Sequence, residues 1–172
     1  MKQISFCLAM LLLSSMVQAK DLVVTVDGKE IRTVCTTFNH EINDADKGKG
    51  SQASAMTSSF LYYGLLAKGD IEGAAMLSID PPKAADKWIK YRERVGEEFF
   101  KKIMNDYFTA KNIILAEVVL AEDTMLVIKT EDGPIAQFYQ KKEGKYLVTD
   151  KPADGKTLGK VLTMIQEGKI KL

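Results

Sequence analysis

Residues 113–149 read IILAEVVLAEDTMLVIKTEDGPIAQFYQKKEGKYLVT. Strand-like runs rich in Ile, Leu, Val and Tyr alternate in this stretch with short polar turns. The runs cover 113–121, 125–130, 135–141 and 145–149, and the turns between them are Glu122-Asp123, Asp132-Gly133 and Glu143-Gly144. Connections this short join antiparallel neighbours, so the stretch predicts a four-stranded antiparallel meander.

The sequence ahead of the meander predicts three helices. Apolar residues recur at three- and four-residue steps over 53–67, which places them on one helix face. Gly69 suits the end of that helix, and Asp70 suits the start of a second one over 71–77. Asp80, followed by two prolines, begins a third helix that is expected to reach about residue 108 with Phe99 in its apolar stripe. This long helix is expected to pack across the sheet.

A hairpin and a closing helix flank this body. The β-rich runs 22–26 and 30–37 are separated by Asp27-Gly28, a strong signal for a two-residue hairpin turn. With that turn, Val24, Ile31 and Cys35 share the side of the ribbon that we expect to be buried. Residues 157–166 predict a final helix. The predicted fold class is α+β, with helices packed in a curved antiparallel sheet, an N-terminal β-hairpin and a C-terminal helix.

The N-terminus is typical of a cleaved secretory signal peptide. An apolar run over 4–16 is followed by Val17 and Ala19, small residues at −3 and −1 of a cleavage site before Lys20. An uncleaved anchor is disfavoured because the run is well short of the ~20 residues that cross a bilayer. A lipid anchor at Cys7 is set aside because the preceding residues lack the small-residue pattern. We therefore predict a periplasmic protein with no membrane span.

The polar segment 39–52 is predicted to be a flexible connector or a functional loop. It divides the chain into a signal peptide over 1–19, an N-terminal β-hairpin and flexible loop over 20–52, and an α+β domain over 53–172. The mature chain, 20–172, has a length that suits one domain with a real core.

Charge and cysteine content exclude several classes of protein. Without Lys2, which leaves with the leader, 23 basic residues balance 23 acidic ones. Nucleic-acid binding is therefore not expected, since phosphate contacts require a basic excess. Cys35 is then the lone cysteine, which rules out an intramolecular disulfide. Burial of Cys35 is favoured over a disulfide to another chain.

No catalytic or metal signature stands out. His40 with Glu41 suggests a base–acid pair, but neighbours on an extended chain point to opposite sides, which favours an exposed or structural histidine. One His and one Cys cannot supply a typical zinc site, and the acidic run at 43–46 does not fit a calcium loop. Ser58-Ser59 lacks the glycine elbow of a hydrolase nucleophile. We predict no catalytic residues, no metal and no cofactor.

Two stretches resemble a known superfamily. They are 65–75, LLAKGDIEGAA, continuing to Asp80, and 138–148, FYQKKEGKYLV, with its aromatic strand, lysine-glycine turn and aromatic strand. Both are similar to the nuclear-transport-factor-2-like superfamily, also called SnoaL-like or cystatin-like. The resemblance covers about 53–149 and implies a cone of curved sheet around helices. It also implies homodimerisation through the open sheet face. The leading hairpin and closing helix depart from the family pattern, and the fold hosts enzymes, binding proteins and assembly modules alike.

In such a cone, one set of aromatic side chains would border the space between helices and sheet. Ordinary core packing explains them, and the sharper hypothesis is a pocket for an apolar or aromatic ligand. The candidate ligand-binding residues are Tyr62, Tyr63, Trp88, Tyr91, Phe99 and Tyr139.

The sequence therefore favours an exported, non-catalytic binding module. It would recognise a protein partner or a small apolar ligand through the cone mouth or the 39–52 loop, and one version is an immunity or inhibitor protein that neutralises an exported toxin. The alternative is a pocket enzyme of hydrolase or proton-transfer type. That enzyme would need an inward carboxylate such as Glu117 with a raised pKa.

Overall fold

The computed structural model describes residues 18–172. Nearly all of the predicted signal peptide, 1–19, lies outside these residues, so it stays a prediction. The strands are β1 (Gln18–Val26), β2 (Lys29–Glu41), β3 (Ile113–Leu120), β4 (Asp123–Thr130), β5 (Gly133–Lys142) and β6 (Lys145–Val148). The helices are α1 (Ala55–Ala67), α2 (Ile71–Ala75), α3 (Pro81–Val95), α4 (Glu97–Asn105) and α5 (Gly155–Gln166).

The predicted fold class is confirmed. All the described strands form one curled antiparallel sheet in the order β1-β2-β3-β4-β5-β6. The N-terminal hairpin turns at Asp27 (φ 51°) and Gly28 (φ 77°), with Val26 opposite Lys29. Both φ values are positive, as a two-residue hairpin turn with the twist of the strands requires. Because β2 also pairs with β3, the ribbon continues into the sheet.

Both faces of the sheet are covered by helices. On one face, α5 lies over β1 and β5, and on the other face α1 lies over β4 and β6. Residues 123–128 of β4 are all buried, as expected for a central strand with side chains pointing alternately to two cores. Met125 and Val127 point to the α5 side, whereas Leu126 and Ile128 point to the α1 side. Val24 and Cys35 are buried on the α5 side with Ile31 at its margin, as predicted.

A β-bulge at Leu115 lets β3 contribute buried side chains to both faces of the sheet. The pairing of β3 with β4 shifts register between Ile114 and Ala116. Without that shift, the two residues would point to the same face. With it, Ile114 packs on the α1 side and Ala116 on the α5 side, and both are fully buried.

The prediction of one long helix from residue 80 to 108 is wrong. The helix ends at Gly96, whose φ of +86° is outside the range of a right-handed helix, and a second helix starts at once. The break redirects the following side chains. Phe100 and Met104 become buried while Phe99, predicted to face the core, is 54% exposed. The long helix was also expected to pack across the sheet. That contact is made mainly by α1, because α3 lies chiefly against α2.

The segment between α2 and α3 is tied to the last strand. The backbone N–H of Val148 donates to Leu77 O at 2.8 Å, and the N–H of Ile79 donates to Val148 O at 2.9 Å. Ser78 therefore forms a parallel β-bridge with Val148 on the outer edge of β6. These bonds fix the start of α3 beside the β5–β6 edge.

The predicted boundary at residues 52 and 53, between an N-terminal appendage and the main body, stays a prediction. Within residues 18–172, no helix has both the length and the apolar character that crossing a bilayer requires.

Candidate functional site

Four of the six predicted aromatic residues line one cavity. It has a volume of about 320 Å³ and lies between α1, α3 and the β5–β6 hairpin. α1 contributes Tyr62 and Tyr63, α3 contributes Trp88, and β5 contributes Tyr139. The Tyr62 and Trp88 rings are tilted, with centroids 6.4 Å apart, and the indole N–H donates to the Tyr62 hydroxyl at 2.5 Å.

The other two predicted residues lie elsewhere. Tyr91 lines an open groove of about 720 Å³ between α3 and α4, together with Trp88, Ile103 and Met104. Phe99 lines neither this groove nor the aromatic cavity, because the break at Gly96 turns it to solvent. The structure thus brings four candidates together, places Tyr91 outside the cavity with its ring edge-on to Trp88 (centroids 6.0 Å apart), and separates Phe99.

A buried hydrogen-bond network supports the cavity from the sheet side. The Gln137 carboxamide oxygen accepts from the hydroxyls of Ser59 and Tyr139, each at 2.9 Å. Ser59 is also hydrogen-bonded to the Tyr107 hydroxyl. Sequence reasoning missed Ser59, Tyr107 and Gln137 as a set. The available signal was a polar side chain at an inward position, because Ser59 lies four residues from Ala55 and Tyr63 on one face of α1.

The tyrosines of this region are neutral near physiological pH. Burial raises the pKa of Tyr63, and the neighbouring Tyr107 raises it further. Burial likewise raises the pKa of Tyr107 and of Tyr139 well above the usual value. For Tyr62, burial also raises the pKa, with the hydrogen bond from Trp88 opposing the rise. Each hydroxyl therefore keeps its proton and acts as a hydrogen-bond donor and acceptor.

An ion pair lies at the mouth of the aromatic cavity. Lys87 Nζ is 3.0 and 3.2 Å from the two carboxylate oxygens of Asp150, and about half of each side chain is exposed. A second cavity of about 220 Å³ adjoins it, lined also by Ser78, Lys83 and Lys151. The two cavities share a wall made of Tyr62, Lys87, Val148, Thr149 and Asp150.

His40 pairs with Asp46 and not with Glu41. Its Nε2 is 3.0 Å from Asp46 Oδ2, which also accepts the Asn43 backbone N–H at 3.0 Å. Burial raises the pKa of Asp46, but the bonds from Asn43, His40 and Lys49 outweigh it, so the pKa is lowered overall. Asp46 and Asn43 cap a 3₁₀ turn over Asp44–Gly48. The segment predicted as a flexible connector or functional loop is therefore ordered here by a structural histidine–aspartate pair.

The remaining buried acids do not form a catalytic set at the cavity. Asp123 accepts the Asp154 backbone N–H at 2.7 Å and the Gln140 amide at 3.3 Å. Glu117 is half-buried, and burial raises its pKa while Lys141 opposes the rise. It lies in the same row of the sheet as Leu126 and Gln137 but lines neither cavity that borders Lys87 and Asp150.

The candidate nucleophiles and metal ligands are equally dispersed. Ser58 donates to the backbone oxygens of Ser51 and Tyr146, and the bond to Tyr146 links α1 to β6. Cys35 is free and buried, and burial raises the pKa of its thiol. Among residues 18–172, no three His, Cys, Asp or Glu side chains converge in a way that could hold a metal ion.

Comparison of the chain with protein-family models, with curated proteins and with solved structures finds no match.

Proposed function

We propose that this chain is an exported, non-catalytic binding module that holds a small apolar or aromatic ligand between α1, α3 and β5. The observation that carries the proposal is the convergence of Tyr62, Tyr63, Trp88 and Tyr139 on one cavity. We also propose that the fold is a member of the nuclear-transport-factor-2-like superfamily and that the protein works in the periplasm. The version in which a protein partner is bound, as by an immunity protein, stays a prediction.

The size of the cavity supports a ligand of one or two rings. Small-molecule sites commonly begin at about 300 Å³, and a cavity of about 150 Å³ is enough to hold benzene. The aromatic cavity has a volume of about 320 Å³, roughly twice that of a cavity that holds benzene. Its walls combine aromatic rings with hydroxyl, amide and charged groups.

The chemistry of the lining supports binding over catalysis. Its titratable groups are the three tyrosines with raised pKa values and the paired Lys87 and Asp150. The tyrosines keep their protons because burial raises their pKa values, and Lys87 and Asp150 are engaged with each other. The enzyme alternative relies on Glu117, which lies on the sheet away from this cavity. Binding is therefore the function that the geometry favours.

The single tryptophan gives a direct test. Trp88 is the one Trp of the chain and lines the cavity, so its fluorescence reports on an occupant. We would titrate the protein with phenylethanol, cyclohexanol and octanol, and follow Trp88 emission and the melting temperature together. We expect a saturable change in emission and a rise in melting temperature, because a ligand that binds only the folded state stabilises it.

A filling variant and its match locate the response. Thr149→Phe introduces a ring at the cavity wall and should abolish the response to the best probe. Thr163→Phe makes the same change on the exposed side of α5, remote from Trp88, and should leave it intact. No response to any probe by either measurement would overturn the proposed function, as would equal binding by the two variants.

A further inference from the structure

The helix α3 carries large apolar side chains that the rest of the chain covers only in part. Trp88, Ile89, Tyr91 and Val95 pack against the cluster around Phe100, yet no residue of this 15-residue helix is buried. Part of each of these side chains therefore stays open to solvent. Tryptophan and tyrosine in this state are enriched where proteins contact one another.

The partly covered rings lie on the floor of the groove between α3 and α4, which we call the α3–α4 groove. Trp88, Tyr91, Ile103 and Met104 supply its apolar lining. The Phe100 ring meets those of Trp88 and Tyr91 edge-on, with centroids 6.2 and 6.1 Å away. Because Phe100 is fully buried, it holds both rings in place. A floor ordered in advance loses little conformational freedom when a partner binds.

Phe99 extends this apolar surface beyond the groove. It lies one helical turn before Ile103, on the same face of α4, and is 54% exposed. The two side chains and the rings of α3 together make a contiguous apolar patch, which on a folded protein marks an interaction site.

The charged residues that line the groove are all cations. They are Lys87, Lys90 and Arg94, and within the described part of the chain no Asp or Glu lines it. Among residues 18–172, Arg94 has no carboxylate within ion-pair distance. Lys90 is paired with Asp86, but both side chains are more than half exposed, and exposed ion pairs contribute little. The groove therefore combines an apolar floor with a positive rim.

The rings hold two of these cations beside the floor. The Arg94 guanidinium carbon is 5.1 Å from the centroid of the Tyr91 ring, and Lys87 Nζ is 5.4 Å from that of the Trp88 ring. Both distances are within the range of a cation–π contact. A partner that covers the rings is therefore brought next to positive charge.

We propose that the α3–α4 groove is a docking site for an acidic amphipathic helix of a protein partner. The apolar side chains of that helix would lie on Trp88, Tyr91 and Ile103. Its carboxylates would pair with Lys90 and Arg94, which are one helical turn apart. This inference goes beyond the proposed function. The groove shares Lys87 and Trp88 with the aromatic cavity, but docking on it requires no ligand there.

The relief of the groove favours a helix over a membrane surface. Met104 is 4% exposed and the rings of Trp88 and Tyr91 are half-buried, whereas the Lys90 side chain is 70% exposed. The apolar groups are thus recessed behind the cations, and a flat bilayer would meet the cations first. A helix whose apolar residues recur at three- and four-residue steps presents a ridge that can enter such a groove.

Three matched peptides test the chemistry of the partner. Each is fluorescein-labelled and about 15 residues long, since shorter helices are marginal in water. The first has leucine along one helix face and glutamate at flanking positions one turn apart. The second has lysine in place of the glutamates, and the third has serine in place of the leucines. Fluorescence anisotropy should show the first binding about tenfold more tightly than either of the others, and added salt should narrow its advantage over the second.

A charge reversal and its match locate the binding. Arg94→Glu should weaken the glutamate–leucine peptide about tenfold and tighten the lysine peptide, since it reverses the sign of a rim charge. Lys160→Glu makes the same change of charge at an exposed position of α5, which contributes nothing to the groove. It should leave both affinities within about twofold of the wild type. Unchanged melting temperatures would show that both variants are folded.

A second pair of variants tests the apolar floor. Ile103→Ser should weaken the glutamate–leucine peptide severalfold, because Ile103 lines the groove. Ile135→Ser is the matched control, since Ile135 is 45% exposed on β5 and lies outside the groove. It should leave the affinity unchanged.

The inference is overturned if the lysine or serine peptide binds as tightly as the glutamate–leucine peptide, or if none of the three binds at millimolar concentration. Equal losses from Arg94→Glu and Lys160→Glu would overturn it as well. Vesicles of phosphatidylglycerol are the remaining probe. Vesicle binding that Arg94→Glu and Ile103→Ser abolish, without peptide binding, would assign the groove to a membrane. A dimer that the peptide cannot dissociate would assign it to a second copy. The phenylethanol titration tests the proposed function separately from all of these outcomes.

Discussion

The two faces of the sheet bury different kinds of side chain. Under α5 the buried side chains are aliphatic with Cys35 and Met125, and no aromatic ring is fully buried in that cluster. On the α1 side, Phe60, Tyr107 and Tyr139 are buried together, and hydrogen bonds through Ser59 and Gln137 link the hydroxyls of the two tyrosines. The aromatic cavity, the second cavity lined by Ser78 (the Ser78 cavity) and the α3–α4 groove include no residue of α5.

This difference places the candidate cavity on the aromatic and polar side of the sheet. The α5 side contributes apolar burial alone. The α1 side combines apolar burial with interior polar groups that are bonded to one another.

The largest expected effect tests the aliphatic side. Leu158→Ala should lower the free energy of unfolding by about 3 kcal/mol, because Leu158 is fully buried and the cavity left behind adds to the lost apolar transfer energy. Urea denaturation measures the loss. The half-buried Leu162→Ala on the same helix should cost less. Folded Leu158→Ala should bind phenylethanol as the wild type does, and weakened binding would show that the two faces are not independent.

The next effect probes the segment flanking the α1 side. Asp46→Asn should lower the free energy of unfolding at neutral pH by about 2 kcal/mol, since bonds to a charged group are lost. The pKa of Asp46 is lowered in the folded protein, so its contribution is complete above its ordinary pKa of 3.8. It is lost as the pH falls through the lower folded value. Urea denaturation at several pH values should show the gap between variant and wild type closing in acid, and a gap independent of pH would contradict this role.

A smaller effect tests the polar cross-links of the aromatic side. Tyr139→Phe keeps the ring and removes one of two donors to the Gln137 oxygen, so the loss should be about 1 kcal/mol. Tyr146→Phe is the matched control, because its hydroxyl makes no side-chain hydrogen bond within residues 18–172, and it should be near neutral. Equal values from chemical denaturation would mean that the network adds nothing beyond ring packing.

The smallest effect is expected at Phe99, the candidate residue whose side chain is exposed. Phe99→Ala should change the free energy of unfolding by less than about 0.5 kcal/mol, as is usual for exposed positions. The affinity for phenylethanol should also be unchanged. A loss near that of Leu158→Ala would show that Phe99 packs on a surface that the isolated chain does not reveal.

Local signals in the sequence predicted the parts of the fold that depend on local chemistry. The Asp27-Gly28 turn places Val24 and Cys35 on one side because two positive φ values suit few other residue pairs. The helix break at Gly96 was missed because apolar spacing continues across it, and a glycine inside a helix is tolerated often enough to hide a break. That one torsion explains why Phe99 was assigned to the wrong side.

The candidate site was predictable in its residues and not in its contacts. Tyr62 and Trp88 lie on two different helices, α1 and α3. The spacing of apolar residues along the sequence does not show which tyrosine accepts the indole N–H. His40 was expected to be exposed or structural, and its partner Asp46 lies on a different element and was not foreseen. The Ser78 cavity depends on the backbone bonds that hold 77–79 beside β6, which are tertiary contacts without a local signature.

The position of α5 has a consequence for synthesis. Val24 from the first hairpin and Leu158 from the last helix belong to the same buried cluster, although most of the chain lies between them. A ribosome therefore releases nearly the whole polypeptide before the aliphatic core can close. Contacts so distant along the chain also slow folding. The aliphatic core is thus incomplete without the last helix, and truncation before residue 155 removes the helix that packs on β1.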